Sequence, residues 1–174
     1  MVRYQESNCT FSFKENIKCY NFDSQEGSIF QENDFCGNKP IDFLFIYNNE
    51  IYFMEVKDID YFKEYFEEEN SNKRGSVFDK QICEIYSKYI DSYTILSLSK
   101  NRDVEEYQEV LFNVNVPKVI LFIVAELSKE DLLLFLEKLE KKFKKKFKHL
   151  KVNSIFVESL FSYNKVLYEV TRND

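Results

Sequence analysis

Two carboxylates and a lysine, Asp42, Glu55 and Lys57, stand at spacings that let them act as one group. Two runs dense in Phe, Ile, Leu, Tyr, Met and Val, residues 41–47 and 50–59, flank the pair Asn48-Asn49. Asparagine tolerates the positive φ that a two-residue hairpin turn requires. With Tyr47 paired to Glu50, each step back along the first strand is matched by a step on along the second, and Asp42 falls opposite Glu55. A four-residue loop closing on Ile46 and Ile51 preserves that register. Opposed residues leave one face of the sheet with Cβ atoms about 4.5–5.5 Å apart. Lys57, two residues beyond Glu55, shares the face. A register one residue out would send the two carboxylates to opposite faces.

Carboxylates opposed in an apolar hairpin repel each other, so something must compensate. A divalent cation does so, because hard cations take oxygen ligands from paired carboxylates. A lysine beside them neutralises charge, orients a water or stabilises a pentacovalent phosphorus. The chemistry this arrangement asks for is hydrolysis at a phosphate. The alternatives are a salt-bridge cluster at the end of a sheet, or a fold of this kind kept for binding alone.

Pro40-Ile41-Asp42, twelve intervening residues, then Glu55-Val56-Lys57 resembles the PD-(D/E)XK motif of restriction-endonuclease-like nucleases. The resemblance covers residues 40–127. It implies a hairpin in a central sheet, with Asp42, Glu55 and the main-chain carbonyl of Val56 holding Mg²⁺ or Mn²⁺, and Lys57 assisting the attacking water. In that superfamily the helix after the motif often adds a Gln, Glu or Lys; Gln81 is the candidate, with Lys80 beside it. An N-terminal helix usually brings another acidic residue, for which Glu6, Glu15, Glu26 and Glu32 are available. The implied substrate is DNA in preference to RNA, and the implied assembly a homodimer or a complex with a partner protein. The setting implied is restriction, defence or repair. The competing implication is a catalytically inactive nuclease-like module, a subunit of a larger nucleic-acid complex.

The elements that must position these residues follow from periodicity. Residues 10–14 and 17–22 alternate as strands, with a hairpin expected around Glu15-Asn16. Residues 23–39 are polar and read as loop; 61–74 are acidic and read as an exposed insertion. Residues 76–93 suit a helix with Phe78, Ile82, Ile85 and Tyr89 as its apolar stripe and Val77, Gln81, Glu84 and Lys88 along another side. A short helix is expected over 103–112 and a buried strand in 116–127, around KVILFIV. Ser128, with Asp131 three residues on, opens a long helix whose apolar side runs through Leu132, Leu136, Leu139, Phe143, Phe147 and Leu150. Residues 154–160 and 166–170 close the chain as strands. The order predicts a single α/β domain over 1–174: a mixed central sheet flanked by helices, its core at 40–127.

Composition fits a folded domain: 44% of residues are hydrophobic, 31% charged, and 18 Phe with no Trp imply a Phe-heavy core. The net charge is −6, unevenly spread. Residues 137–151 hold eight lysines against two glutamates, which leaves −12 on the rest of the chain. Such polarity lets a basic face exist on an acidic protein; a solvated helix side is its plainer reading. Cys9, Cys19, Cys36 and Cys83 form no CxxC pair and are expected as buried free thiols. His149 is the single histidine, which excludes histidine-based metal sites. No phosphate-binding glycine motif occurs. No leader or apolar span is visible, so a cytoplasmic location without membrane contact is expected.

Overall fold

The structure, a computed structural model, describes residues 1–22, 39–59, 76–100, 102–114, 117–125, 127–150, 152 and 154–173. The expected loop at 23–39, all but Lys39, and the acidic stretch at 61–74 lie outside the described residues, with Glu26, Glu32 and Cys36.

The chain runs β1 (Val2–Glu6), β2 (Cys9–Phe13), β3 (Lys18–Asn21), β4 (Phe43–Tyr47), β5 (Glu50–Asp58), α1 (Ser76–Leu98), a 3-10 turn (Arg102–Val104), α2 (Glu105–Val114), β6 (Lys118–Val124), α3 (Lys129–Phe147), a second 3-10 turn (Lys148–Leu150), β7 (Ile155–Ser159) and β8 (Tyr168–Arg172). This is a mixed α/β architecture with two sheets. A five-stranded sheet is ordered β3-β4-β5-β6-β7, and a three-stranded one β1-β2-β8. In the larger sheet β3, β4 and β5 are antiparallel, while β6 runs parallel to β5 and β7 parallel to β6.

The apolar runs in β4, β5 and β6 arise because both faces of the larger sheet are covered. Leu44, Ile51, Phe53, Leu121 and Ile123 turn toward the helices, meeting Ile82, Ile85, Leu136 and Phe143. Phe43, Phe45, Met54, Val56 and Phe122 turn the other way, onto Phe11, Phe13 and Tyr168 of the small sheet. Between the two sheets the rings pack edge-on or tilted: Phe11 lies 5.0 Å from Phe122 and Phe13 lies 5.2 Å from Phe45, centroid to centroid. Nine of the ten largest fully buried side chains among the described residues are Phe.

Helix α1 runs five residues beyond the expected 93, because Ile95 and Leu96 continue its buried stripe. Helix α3 starts as expected: the Ser128 hydroxyl accepts from the Asp131 amide at 3.2 Å and donates to its carboxylate at 2.6 Å. The final strand sits two residues later than expected.

Two expectations are corrected. No hairpin forms around Glu15-Asn16; β2 pairs with β1 and β8, and β3 with β4, so the chain crosses there from one sheet to the other. The turn instead falls at Ser7-Asn8, whose φ values of 48° and 58° make the two-residue hairpin between β1 and β2. Cys83 is exposed and Cys19 half-buried, leaving Cys9 as the described thiol that is fully enclosed. Among the described residues no helix is long and apolar enough to cross a membrane.

Candidate active site

The hairpin is built as its sequence requires. Asn48 and Asn49 have φ of 50° and 59°, and the pairs run from Tyr47–Glu50 to Phe43–Met54. Asp42 is the next residue outward, opposite Glu55. Ile51, Phe53 and Glu55 point to one side along β5, so the carboxylate occupies a core position on the helix-facing side. Asp42 and Glu55 are 6% and 1% exposed.

Several bonds fix Asp42. Its Oδ2 accepts from the Val56 amide at 2.6 Å, and its main-chain carbonyl accepts from the Phe22 amide at 2.8 Å. Helix α1 holds the approach to the strand: the Ser92 hydroxyl accepts from the Ile41 amide at 2.8 Å, and the Asp91 carboxylate from the Lys39 amide at 3.1 Å. One helical turn before Ser92, on the same side, is Lys88. Its ammonium lies 2.7 Å from Glu55 Oε1 and 3.9 Å from Asp42 Oδ1. Lys57 reaches the same Glu55 Oε1 at 2.7 Å from the end of β5. Two anions and two cations thus share a mostly buried site. Glu55 Oε2 is buried without a hydrogen-bond partner, the kind of vacancy that calls for an explanation in a native fold.

Burial, and after it the Glu55 charge, push Asp42 well above the ordinary carboxylate range, against the pull of Lys88 and the Val56 amide. Glu6, at the end of β1, adds a smaller push the same way. Of the described N-terminal acids, Glu6 is therefore the one felt at the site; Glu15 lies outward, its carboxylate 3.6 Å from the chain's amino group. A raised folded-state pKa means that the folded chain binds the proton more tightly than the unfolded one. Asp42 then costs stability as pH rises above about 4. Asp42→Asn is accordingly expected to raise stability at neutral pH in the absence of metal, by on the order of 1–3 kcal/mol, which is about 2–10 °C in Tm. The gain should shrink toward pH 4, where both residues are neutral. A calorimetric series across that range checks it, and an equal gain at both ends would rule out the charge as its cause.

Gln81 lies on the side of α1 that carries Lys88, half-buried and with its Oε1 atom enclosed. It stands two turns earlier, about 10 Å along the axis. From helix α1 it is Lys88 that contacts Glu55. The signal was present in the shared side of Gln81, Glu84 and Lys88, since a cation there faces two opposed carboxylates.

The donors are all oxygens, from two carboxylates of which one oxygen is unpartnered. That set suits a hard divalent cation of the Mg²⁺ kind, which takes one or two carboxylates and completes its shell with water or phosphate rather than with an all-protein cage. No cluster of three or more His, Cys, Asp or Glu able to hold a metal occurs among the described residues. Compared with known proteins, the chain matches no family model, no curated protein and no solved structure.

Proposed function

We propose that this chain is a metal-dependent nuclease that hydrolyses phosphodiester bonds, with DNA as its substrate in preference to RNA. The observation that carries the reading is the convergence of Asp42, Glu55, Lys57 and Lys88 at one end of a buried hairpin, with Glu55 Oε2 unpartnered. The restriction-endonuclease-like fold belongs to the same proposal. Its support is the position of β4–β5 inside the larger sheet, followed by a helix that delivers a lysine to the site.

A bound Mg²⁺ or Mn²⁺ would supply a polarised water and neutralise charge on the phosphate. Asp42 and Glu55 would hold it, with the Val56 carbonyl as a third donor. Lys88 keeps Glu55 oriented through Oε1. Lys57, the more exposed of the two lysines, orients the attacking water and meets the charge that grows on phosphorus-bound oxygen as the bond to the leaving group breaks. Gln81 borders the same helix side and supports the water.

A second reading has its own observation. Lys57 and Lys88 already balance the two carboxylates, as they would in an inactive nuclease-like module kept for binding. Melting with and without metal separates the two. At a hundredfold excess over Kd a nuclease site gains about 2.7 kcal/mol, roughly 5–10 °C, and Asp42→Ala should remove that gain. Plasmid, single-stranded DNA and RNA incubated with either ion give the activity. Neither cleavage nor a thermal response to either ion would leave the binding module standing and end the nuclease reading.

A further inference from the structure

Three carboxylates are buried among the described residues, and lysines meet two of them, Asp42 and Glu55. The third, Glu158 in β7, is 8% exposed and forms no ion pair among the described residues. Its Oε2 accepts from the Tyr168 hydroxyl and, at 3.4 Å, from the Asn164 amide; Oε1 accepts from neither. Burial lifts this carboxyl above its ordinary range, against the pull of those two donors. A buried anion without a counter-charge is costly, and a cation beside it removes the cost. Glu158 lines a cleft of about 250 Å³ with Phe156, Val157, Tyr163 and, from α3, Glu140. No lysine or arginine occurs among the described lining residues. Glu140 pairs with Lys144 outside the cleft. Phe156 is 40% exposed, and the Tyr163 ring is stacked on Tyr168 at 5.7 Å. Aromatic surface beside a carboxylate suits an ammonium or a guanidinium.

The cleft lies along an open sheet edge, since β7 is the last strand of the larger sheet. The Ser154 carbonyl accepts from the Val119 amide of β6 at 3.0 Å, so Ser154, Phe156 and Glu158 turn their backbone groups toward β6. Ile155, Val157 and Ser159 turn theirs outward. Ser159 uses its N–H and C=O on Ser162, at 2.9 and 3.0 Å, while those of Ile155 and Val157 make no bond of this kind among the described residues. We propose that this edge binds an extended, basic peptide segment of a partner protein, with an arginine or lysine of that segment entering the cleft to meet Glu158. A residue antiparallel to Val157 takes its N–H and C=O, and the neighbours of that residue then project beside Phe156 and Glu158. A free amine answers the carboxylate but leaves the backbone edge open. A nucleic-acid strand brings phosphates to a lining that holds no cation. The inference is independent of the nuclease reading.

The test is titration of labelled pentapeptides Thr-Arg-X-Arg-Thr, with X each apolar residue in turn, into the whole chain, read by anisotropy. Arginine stands at both places that face the cleft. Exchanging both for Glu should weaken binding about tenfold or more, as should Glu158→Gln with the original peptides. Methylating the nitrogen of X removes the donor aimed at the Val157 carbonyl and should cost roughly fivefold or more. Both peptide controls use the unaltered chain, so the outcome does not hang on how the variant folds. Bound peptide should slow amide hydrogen exchange at Ile155 and Val157 and leave Ser159 unchanged. Binding indifferent to the methyl group would overturn strand pairing, and agmatine binding as tightly would reduce the cleft to a site for small amines. Protection of the same amides by a DNA oligonucleotide, but by no peptide, would overturn the inference in favour of nucleic acid. No binding by any of the peptides at millimolar concentration would end it.

Discussion

Lys57→Ala is expected to lower the rate of metal-dependent DNA cleavage by on the order of 10²–10⁴-fold, the usual worth of a positioned group acting on a proton or a growing charge. Its cost to the fold should be small. Lys57 ends β5 with part of its side chain in solvent, and Glu55 keeps Lys88 on the same oxygen. Because the lysine is not a metal donor, the thermal response to Mg²⁺ or Mn²⁺ should survive. Retained metal response with lost cleavage assigns Lys57 to the chemistry. Undiminished cleavage would reduce it to a counter-charge.

Lys88→Met should act in the opposite way, mainly on stability. Lys88 is 8% exposed and is the cation that approaches both carboxylates. Removing one partner of a buried ion pair strands the other, at about 3–5 kcal/mol, or roughly 10 °C for a chain of this size. Two compensations should follow from the same physics. Acid should recover part of the loss, because protonation removes the stranded charge. A divalent cation should raise Tm more in the variant than in the parent, since it takes over the neutralisation that Lys88 performed. Unfolding measured by denaturant and by heat, with and without Mn²⁺, reads both. A variant as stable as the parent would mean that the carboxylates are neutralised from elsewhere.

The part of this site legible in the sequence is the part that local rules determine. A two-residue asparagine turn and strict alternation place Asp42 against Glu55 and Lys57 beside it, because strand geometry leaves no other arrangement once the turn is set. Lys88 was on view as a helix position, yet its role depends on how α1 rotates against β5. That rotation is set by Ile82, Ile85 and Tyr89 packing on the sheet and by Ser92 accepting from the Ile41 amide, and periodicity alone does not fix it. The small sheet was legible least. Phe11 and Phe13 alternate as a strand should, but nothing near them indicates Tyr168 and Val170 as neighbours. The crossing at Glu15-Asn16 looks like a turn from its composition and connects two sheets.

The meeting of β2 with β8 also governs how the molecule comes together. Thr10 reaches Asn173 across 163 residues, and every rung between these strands spans nearly the whole chain. Contacts so distant raise the relative contact order and slow folding, since loop closure comes before any reward. Until β8 arrives, the phenylalanine face of the larger sheet, Phe43, Phe45 and Phe122, lacks Tyr168 of its cover. An apolar surface waiting on the last strand invites self-association, so yield from expression should depend on temperature and chaperone supply more than the stability of the finished fold would suggest.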